Sequence, residues 1–198
     1  TLAPALAPPR GPRSGGHQAC SSHQGALVMK LALLIGGGIV ALVLVVALIA
    51  LLVGARLPEE HTATMSRDIA WPVDRVAEVV RNVADQPRWR TGVERIEIIE
   101  RTDTALRYVE HGSNGAIPFA FREVRNNAEF RSTIDTDQLP FGGEWTITLE
   151  TLDALHTRVT IREDGVVHSA LFRFVSRYIM GHTRTIEAYL SDLARVAT

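Results

Sequence analysis

An uninterrupted apolar stretch near the start of the chain constrains the fold more than any other feature. Leu31 to Ala55 carries no charged or strongly polar side chain, and Lys30 and Arg56 bound it. A helix of about 25 residues, rising ~1.5 Å per residue, reaches past the ~30 Å hydrocarbon core of a bilayer. The sequence therefore predicts a single-pass membrane anchor over residues 29–56.

Other interpretations of this stretch stay open. A buried core helix is rarely apolar all round over such a length. A cleaved signal peptide usually has an apolar core of about 7–15 residues, although Val53-Gly54-Ala55 offers small residues for cleavage. Gly37 and Ala41, in and after the run Gly36-Gly37-Gly38, would let two helices pack closely, which makes a homodimer through this helix one alternative.

The segment before the anchor, residues 1–28, is rich in Ala, Pro, Gly and Ser and has no periodicity. This composition predicts a disordered leader. A further hypothesis is that Met29 is the native start and the leader is non-native. The positive-inside rule hardly discriminates the two orientations, because basic residues lie on both sides of the apolar stretch: Lys30 precedes it, and Arg56 and Arg67 follow it. A short N-terminal side would favour a soluble domain outside the cytoplasm.

Composition and motifs exclude several classes of partner. The net charge of −1 gives no basic footprint for nucleic acid, and the single cysteine, Cys20, cannot form an internal disulfide. His111, His156 and His168 fall at separate strand or turn ends without the spacing of metal ligands. No C-x-x-C motif or glycine-rich phosphate loop is present, so the sequence predicts neither a metal nor a cofactor.

After a linker at residues 57–60, the domain at 61–198 reads as short strands separated by turn residues, which predicts an antiparallel meander. Pro72 suits the first position of a helix after the first strand, and Asp164-Gly165 is expected to end the sheet. The predicted elements are a strand His61–Trp71, a helix after Pro72, a short turn Asp85–Trp89, strands Val93–Glu100, Ala105–His111, Ile117–Arg125, Glu129–Asp135, Glu144–Leu152 and His156–Glu163, and a helix Ser169–Val196.

The last of these elements is predicted to be one long amphipathic helix that packs against the sheet. Its charged residues fall mostly on the other side and can stay in water. The residues expected on its apolar side are Leu171, Val175, Tyr178, Ile179, His182, Ile186, Tyr189, Leu190 and Leu193.

The order of these elements and three sequence motifs resemble those of a known protein family. The motifs are Phe141-Gly142-Gly143-Glu144-Trp145, the run from Thr160 to Gly165, and Phe172-Arg173-Phe174 leading to Gly181-His182-Thr183. The chain from about His61 to Ala197 resembles the polyketide cyclase/dehydrase-like branch of the START/Bet v 1 (SRPBCC) superfamily. Its first strand-to-helix junction, Ala70 to Val76, is also similar, but Val76-Ala77 replaces the usual Val-Trp pair.

The resemblance implies an α+β helix-grip fold, in which a seven-stranded antiparallel sheet curls around a long C-terminal helix. It also implies a cavity for hydrophobic or amphipathic molecules such as lipids, polyketides, sterols or quinones. Members of the superfamily include cyclases and lipid carriers, so the fold alone does not determine the activity.

His182 and Glu163 are the candidate catalytic residues. On the cavity side of the helix, His182 could act as a general acid or base, or it could be a structural core histidine. Glu163 shares the face of Val159 and Ile161 at a period of two. Its carboxylate could pair with His182 or an arginine, or could lie at the rim in water.

The candidate ligand-binding residues are mainly aromatic. Tyr178 and Tyr189 could present hydroxyl groups to a ligand, although aromatic residues on such a face commonly form core. Arg67 and Arg122 could bind an anionic headgroup or could simply be solvated. The full predicted set is Tyr178, His182, Tyr189, Trp145, Phe119, Phe121, Arg122 and Arg67.

Three functions remain compatible with these features. The first is a membrane-tethered protein that binds a hydrophobic small molecule between the sheet and the C-terminal helix. The second is a polyketide cyclase- or dehydratase-like enzyme in which His182, with Glu163 or Tyr178, moves a proton next to a carbonyl group. The third is a partner-binding module with a vestigial cavity. Binding is favoured because the charged candidates do not form the convergent set that catalysis requires.

Overall fold

The computed structural model describes residues 18–113, 115–181 and 183–197, without the side chains of residues 18–28 and Met180. The described residues divide into two compact units, one that ends at Leu48 and one that begins at Ile49. Helix α1, Gln18–Arg56, begins inside the segment that was expected to be disordered. The disorder predicted for residues 1–17 lies outside the described residues.

Within α1, Met29–Arg56 is long and apolar enough to cross a membrane by length and composition. Most of its large apolar side chains are exposed, whereas those of a core helix in a soluble protein are mostly buried. There is open space beside Gly36, Gly37 and Gly38. A homodimer through this surface stays a prediction.

The sheet has seven strands in the order β1-β7-β6-β5-β4-β3-β2, and every neighbouring pair is antiparallel. The α+β helix-grip fold that the sequence predicts is confirmed. The strands are β1 Glu60–Ile69, β2 Val93–Arg101, β3 Ala105–Gly112, β4 Gly115–Arg125, β5 Glu129–Ile134, β6 Phe141–Thr151 and β7 Thr157–Val167.

The prediction that Asp164-Gly165 ends the sheet is wrong, because β7 continues to Val167 and β6 begins at Phe141. Gly143 pairs with Gly165, and Gly165 also pairs with His61 of β1. Gly143 has φ 144, in a region that only glycine adopts readily. The glycines in this part of the chain therefore serve close strand packing rather than a turn.

Two short helices follow β1 and cover one end of the inner sheet face. Helix α2, Val73–Arg81, begins after Pro72 as predicted and buries Val76, Ala77 and Val80. A 3-10 helix, Val83–Arg88, leads into the connection to β2.

The prediction of a single long C-terminal helix is wrong in detail, because the helix is broken. Helix α3, Ala170–Val175, runs into a π-helix, Ser176–Met180, and helix α4, Arg184–Val196, follows after a break. Gly181 stands at the break with φ 75 and ψ 148, a backbone conformation that favours glycine and is incompatible with a helix. Of the described residues expected on the apolar side, only those in α4 are buried: Ile186, Tyr189, Leu190 and Leu193.

The core lies between the inner sheet face and the helices α2 and α4. Burial of side chains such as Ile186, Leu190 and Leu193 stabilises the fold by about 1.5–3 kcal/mol each. Its largest fully buried side chains are Phe130, Ile69, Ile161, Ile186, Leu190 and Leu193.

One charged residue, Asp192 of α4, is buried at the edge of this core. Its carboxylate accepts hydrogen bonds from the Thr91 amide at 2.6 Å, the Thr91 hydroxyl at 3.0 Å and Arg195 Nη2 at 2.9 Å. Burial acts to raise the pKa of Asp192, but the hydrogen bonds from Arg195 and Thr91 together outweigh it, and the pKa is lowered. Asp192 therefore fixes α4, as an anion, against the segment before β2.

Candidate functional site

A cavity of about 650 Å³ lies between the inner face of the sheet and the C-terminal helical segments. It occupies the part of the face that α2 does not cover. Phe172 of α3 lines the cavity and is also 40% exposed, so this side chain separates the cavity from the surface. The apolar and aromatic lining residues are Tyr108, Ile117, Phe119, Phe121, Ile134, Phe141, Trp145, Ile147, Val166, Val167, Phe172 and Tyr189.

Aromatic rings form much of the wall. Tyr108 stacks on Phe119 across β3 and β4, with ring centroids 5.4 Å apart. Tyr189 of α4 meets the Trp145 ring edge-to-face at 5.8 Å. These contacts fix flat apolar surfaces on both the sheet side and the helix side, which suits a ligand with rings or long hydrocarbon segments.

The first polar group on the wall consists of His61, Glu163 and Trp145. Glu163 Oε1 lies 3.3 Å from His61 Nε2, and Glu163 Oε2 accepts a hydrogen bond from the Trp145 indole at 2.9 Å. Strand pairing places Glu163 directly beside Trp145 and Ala63, two residues along β1 from His61. The imidazole and the carboxylate each keep less than a fifth of their surface exposed, at 17% and 19%.

The absence of a side chain at Gly165 makes room for the imidazole. A Cβ atom at this position would lie 2.3 Å from Cε1 and 2.5 Å from Nε2 of His61. Gly165 therefore lets the ring lie across β7 and reach Glu163.

The second polar group consists of Arg90, Glu110 and Gln86. Arg90 Nη1 donates to Glu110 Oε2 at 2.6 Å and to Gln86 Oε1 at 2.7 Å. The Arg90 guanidinium also lies 5.2 Å from the centre of the Tyr189 ring. All four residues line the cavity, so a charged but internally paired group borders the aromatic wall.

Two tyrosines in the wall are held in the neutral form. Burial raises the pKa of Tyr108 well above its usual range, and the nearby Glu110 carboxylate adds to the effect. Burial likewise raises the pKa of Tyr189 to about 12. Both phenols are therefore hydrogen-bonding groups rather than proton-releasing groups near neutral pH.

The structure places five of the predicted site residues on the cavity wall: Phe119, Phe121, Trp145, Glu163 and Tyr189. Their role in binding or catalysis stays a prediction. Glu163 pairs with His61 and Trp145, whereas the sequence suggested His182 or an arginine.

Three other predicted residues lie away from the cavity. Tyr178 is 60% exposed on the π-helix, so its expected place on the buried side is wrong. Arg122 is exposed on the sheet face opposite Phe121, because neighbouring residues of a strand point to opposite faces. Arg67 donates to the Ser191 hydroxyl at 2.8 Å at the other end of the inner face. His182 lies outside the described residues, and its catalytic role stays a prediction.

Sequence reasoning missed His61, Arg90 and Glu110. A signal for His61 was available, since it alternates at a period of two with Ala63 and Met65 on the inward side of the first strand. Glu110 similarly alternates with Tyr108. The partners of these groups could not be found in this way, because they lie on elements far apart in the sequence.

The arrangement supplies hydrogen-bond donors and acceptors beside an apolar wall. The His61 and Glu163 pair also has the residue types needed for general acid–base transfer of a proton. Among the described residues, no group of three or more His, Cys, Asp or Glu side chains could hold a metal ion.

These features define a helix-grip protein with an internal, largely apolar cavity. A family model described as polyketide cyclase / dehydrase and lipid transport matches residues 60–198, and the chain belongs to this family. The match covers the whole sheet and the C-terminal helices, and it leaves out α1.

Solved structures of the START/Bet v 1 superfamily share the fold. The Zhui aromatase/cyclase from Streptomyces sp. R1128 is 19% identical, with a TM-score of 0.56 over 70% of this chain and 93% of that chain. A truncated norcoclaurine synthase from Thalictrum flavum is 13% identical, with a TM-score of 0.57 over 69% and 92%. A START superfamily protein from Mycobacterium smegmatis is 14% identical, with a TM-score of 0.55 over 69% and 97%. No curated protein matches the chain.

Proposed function

We propose that the protein is a membrane-tethered binding protein for a hydrophobic or amphipathic small molecule such as a lipid, a quinone or a polyketide-like compound. The observation that carries this proposal is the cavity of about 650 Å³ with its aromatic wall. Small-molecule sites commonly measure about 300–1,000 Å³ and combine an apolar lining with a few fixed polar groups. The family description, which includes lipid transport, supports the same class of ligand.

The polar groups favour an amphipathic ligand over a pure hydrocarbon. Glu163 is hydrogen-bonded to its neighbours His61 and Trp145, and Arg90 is hydrogen-bonded to Glu110. A ligand hydroxyl or carbonyl group could share the hydrogen bonds of either group. A ligand without any polar atom would remove these groups from water and leave their remaining hydrogen-bonding capacity unused, so a ligand with a hydroxyl or carbonyl group should bind more tightly.

The tether rests on α1, whose span Met29–Arg56 ends shortly before β1 begins at Glu60. Residues 57–60 reach at most about 14 Å when extended. A domain on so short a linker would stay at the membrane surface. An extracytoplasmic position of the domain is part of this proposal.

Native mass spectrometry of the full chain, purified gently from its own host, tests the binding role. We expect a co-purifying apolar compound that is lost when Ile134→Trp fills the cavity. Leu155→Trp is the matched control, because Leu155 is 64% exposed and does not line the cavity. An unchanged yield of the compound in Ile134→Trp would contradict binding in this cavity.

A second candidate function is a cyclase- or dehydratase-like enzyme, and the contact between His61 and Glu163 favours it. In this mechanism the His61 imidazole would take a proton from the carbon next to a carbonyl group of the bound substrate. The Glu163 carboxylate would stabilise the imidazolium that forms. His61→Ala and Glu163→Gln should each abolish turnover of a hydrophobic carbonyl substrate without emptying the cavity. Full turnover in both variants would rule out this pair as the catalytic group.

A further inference from the structure

The segment formed by α3 and the π-helix, residues 170–180, carries an unusual cluster of exposed apolar side chains. Leu171 is 45% exposed, Tyr178 60% and Ile179 69%, and the neighbouring Phe172 is 40% exposed. Clustered apolar exposure of this kind on a soluble surface marks a site of interaction, whereas single exposed residues are ordinary. We call these four side chains the apolar patch.

The same segment is bound to the end of α1. Arg173 Nε donates to the Gly54 carbonyl at 2.9 Å, and its Nη1 atom contacts Glu59 at 2.5 Å and the Val167 carbonyl at 3.3 Å. Gly54 packs so closely that a Cβ atom there would lie 1.8 Å from the Ala170 carbonyl oxygen. All of these residues belong to the unit 49–198, so these contacts lie within one compact unit.

The position of Gly54 connects the patch with the bilayer. Gly54 lies two residues before Arg56, the charged residue at which the apolar span ends. If α1 spans the membrane, Gly54 lies near the boundary between hydrocarbon and headgroups, and α3 lies there with it. Leu171 and Phe172 directly follow Ala170, the residue in contact with Gly54.

The composition of the segment fits a headgroup layer. Amphipathic helices that lie in this layer combine Trp, Phe or Leu on one face with Lys or Arg on the other, and their apolar face enters by about 5–10 Å. Here the apolar patch is accompanied by the exposed Arg177. Tyrosine rings such as Tyr178 are also enriched at membrane interfaces.

The inner side of the segment borders the cavity. Phe172 and Ser176 both line it, and the Phe172 ring stacks on Phe141 of β6 with centroids 6.0 Å apart. We propose that residues 170–180 lie in the lipid headgroup layer through the apolar patch, so that the cavity exchanges its ligand directly with the bilayer beside Phe172. This inference rests on the membrane tether of the proposed function and names the surface that meets the lipid.

Depth-sensitive fluorescence on the full chain tests this placement. The chain has one cysteine, so a Cys20→Ser background allows a single environment-sensitive label at Ile179→Cys or at Leu155→Cys. Leu155 is the matched control, because it is 64% exposed in the turn between β6 and β7. The chain is reconstituted in phosphatidylcholine–phosphatidylglycerol vesicles, with iodide as aqueous quencher and doxyl lipids as membrane quenchers.

We expect the label at position 179 to show a blue-shifted emission, loss of iodide quenching and strong quenching by a shallow doxyl lipid. The label at position 155 should keep its iodide quenching. Equal iodide quenching at both positions would overturn the inference. Protection at position 179 without doxyl quenching would also overturn it, since a second copy or another protein would then cover the patch.

Two measurements on the same vesicles separate this inference from the proposed function. Resistance to alkaline carbonate extraction tests the tether, and binding of a pyrene-labelled fatty acid tests the cavity. A chain that resists extraction and binds the probe, but leaves position 179 in water, refutes the placement of the patch alone. Release by carbonate refutes the tether, whichever result the label gives.

Discussion

Replacement of Gly165 by alanine should displace the His61 ring while leaving the fold intact. The added Cβ atom would lie 2.3 Å from His61 Cε1, 2.5 Å from Nε2 and 3.1 Å from Nδ1. Each of these atoms belongs to a side chain that can rotate away, and no backbone atom is among the nearest neighbours. The φ angle of Gly165 lies outside the left-handed region, so alanine adds no backbone strain there.

The expected change in the free energy of unfolding is small because two effects oppose each other. Alanine restricts the unfolded chain and stabilises the protein by about 0.4–1 kcal/mol. Loss of the contact between His61 and Glu163, 3.3 Å in the wild type, destabilises it by about 0.5–1.5 kcal/mol. The net change should therefore stay within about 1 kcal/mol in either direction.

Gly165→Ala should weaken ligand binding more than its control variant does. If the polar group around Glu163 holds the ligand, loss of one hydrogen bond of about 0.5–1.5 kcal/mol weakens binding by about 2- to 13-fold. Titration with a pyrene-labelled fatty acid measures affinity, and urea denaturation in detergent micelles measures stability. Gly142→Ala is the matched control, because its Cβ atom would meet only a Val166 methyl group at 3.3 Å.

Two results would refute this reasoning. A loss of more than about 2 kcal/mol in stability would mean that the strands, and not the imidazole, had to move. Affinities that are the same in Gly165→Ala and Gly142→Ala would mean that the position of His61 does not contribute to binding.

Four further predictions concern the stability of the domain. Gly143→Ala should destabilise the protein by about 1–3 kcal/mol in urea denaturation, because φ 144 and backbone atoms of β7 at 2.6 and 2.8 Å leave no room for a Cβ atom. Asp192→Asn should lower the free energy of unfolding by about 1.5–3 kcal/mol, and a change below ~0.5 kcal/mol would contradict its anchoring role. Hydrogen bonds from Arg81 lower the pKa of Glu123, so stability should fall as pH drops below about 4, with a weaker dependence in Arg81→Leu when unfolding is followed against pH. Burial raises the pKa of Tyr189 to about 12, so stability should fall as pH rises from about 10 towards that value, and less so in Tyr189→Phe.

The sequence alone was sufficient for the local elements and the class of fold. Turn residues separated the strands, and alternation at a period of two supported several of them, because it reflects which side chains of a strand face the core. The same alternation placed Glu163 on the inner face, and the apolar run at 29–56 indicated the candidate span. These properties depend on residues close together in the chain.

Only the tertiary structure decided which polar groups meet on the cavity wall. His61 and Glu163 are 102 positions apart, and their contact follows from the pairing of the edge strand β1 with β7. Alternation predicts the face of a strand but not its neighbour in the sheet. The pairing of Arg90 with Glu110 likewise depends on how the 3-10 helix packs beside β2, which pairs with β3 at Glu110.

The break in the C-terminal helix had the same origin. The apolar periodicity runs through Tyr178 and Ile179, yet both side chains are exposed, because the helix is interrupted at Gly181, where φ is 75, and the segment before the break does not continue the buried face of α4. Periodicity measures the spacing of apolar residues and does not reveal what each one contacts. In α4 these residues meet the sheet, whereas α3 is held to the end of α1 through Arg173 and Gly54, a contact between residues that lie far apart in the sequence.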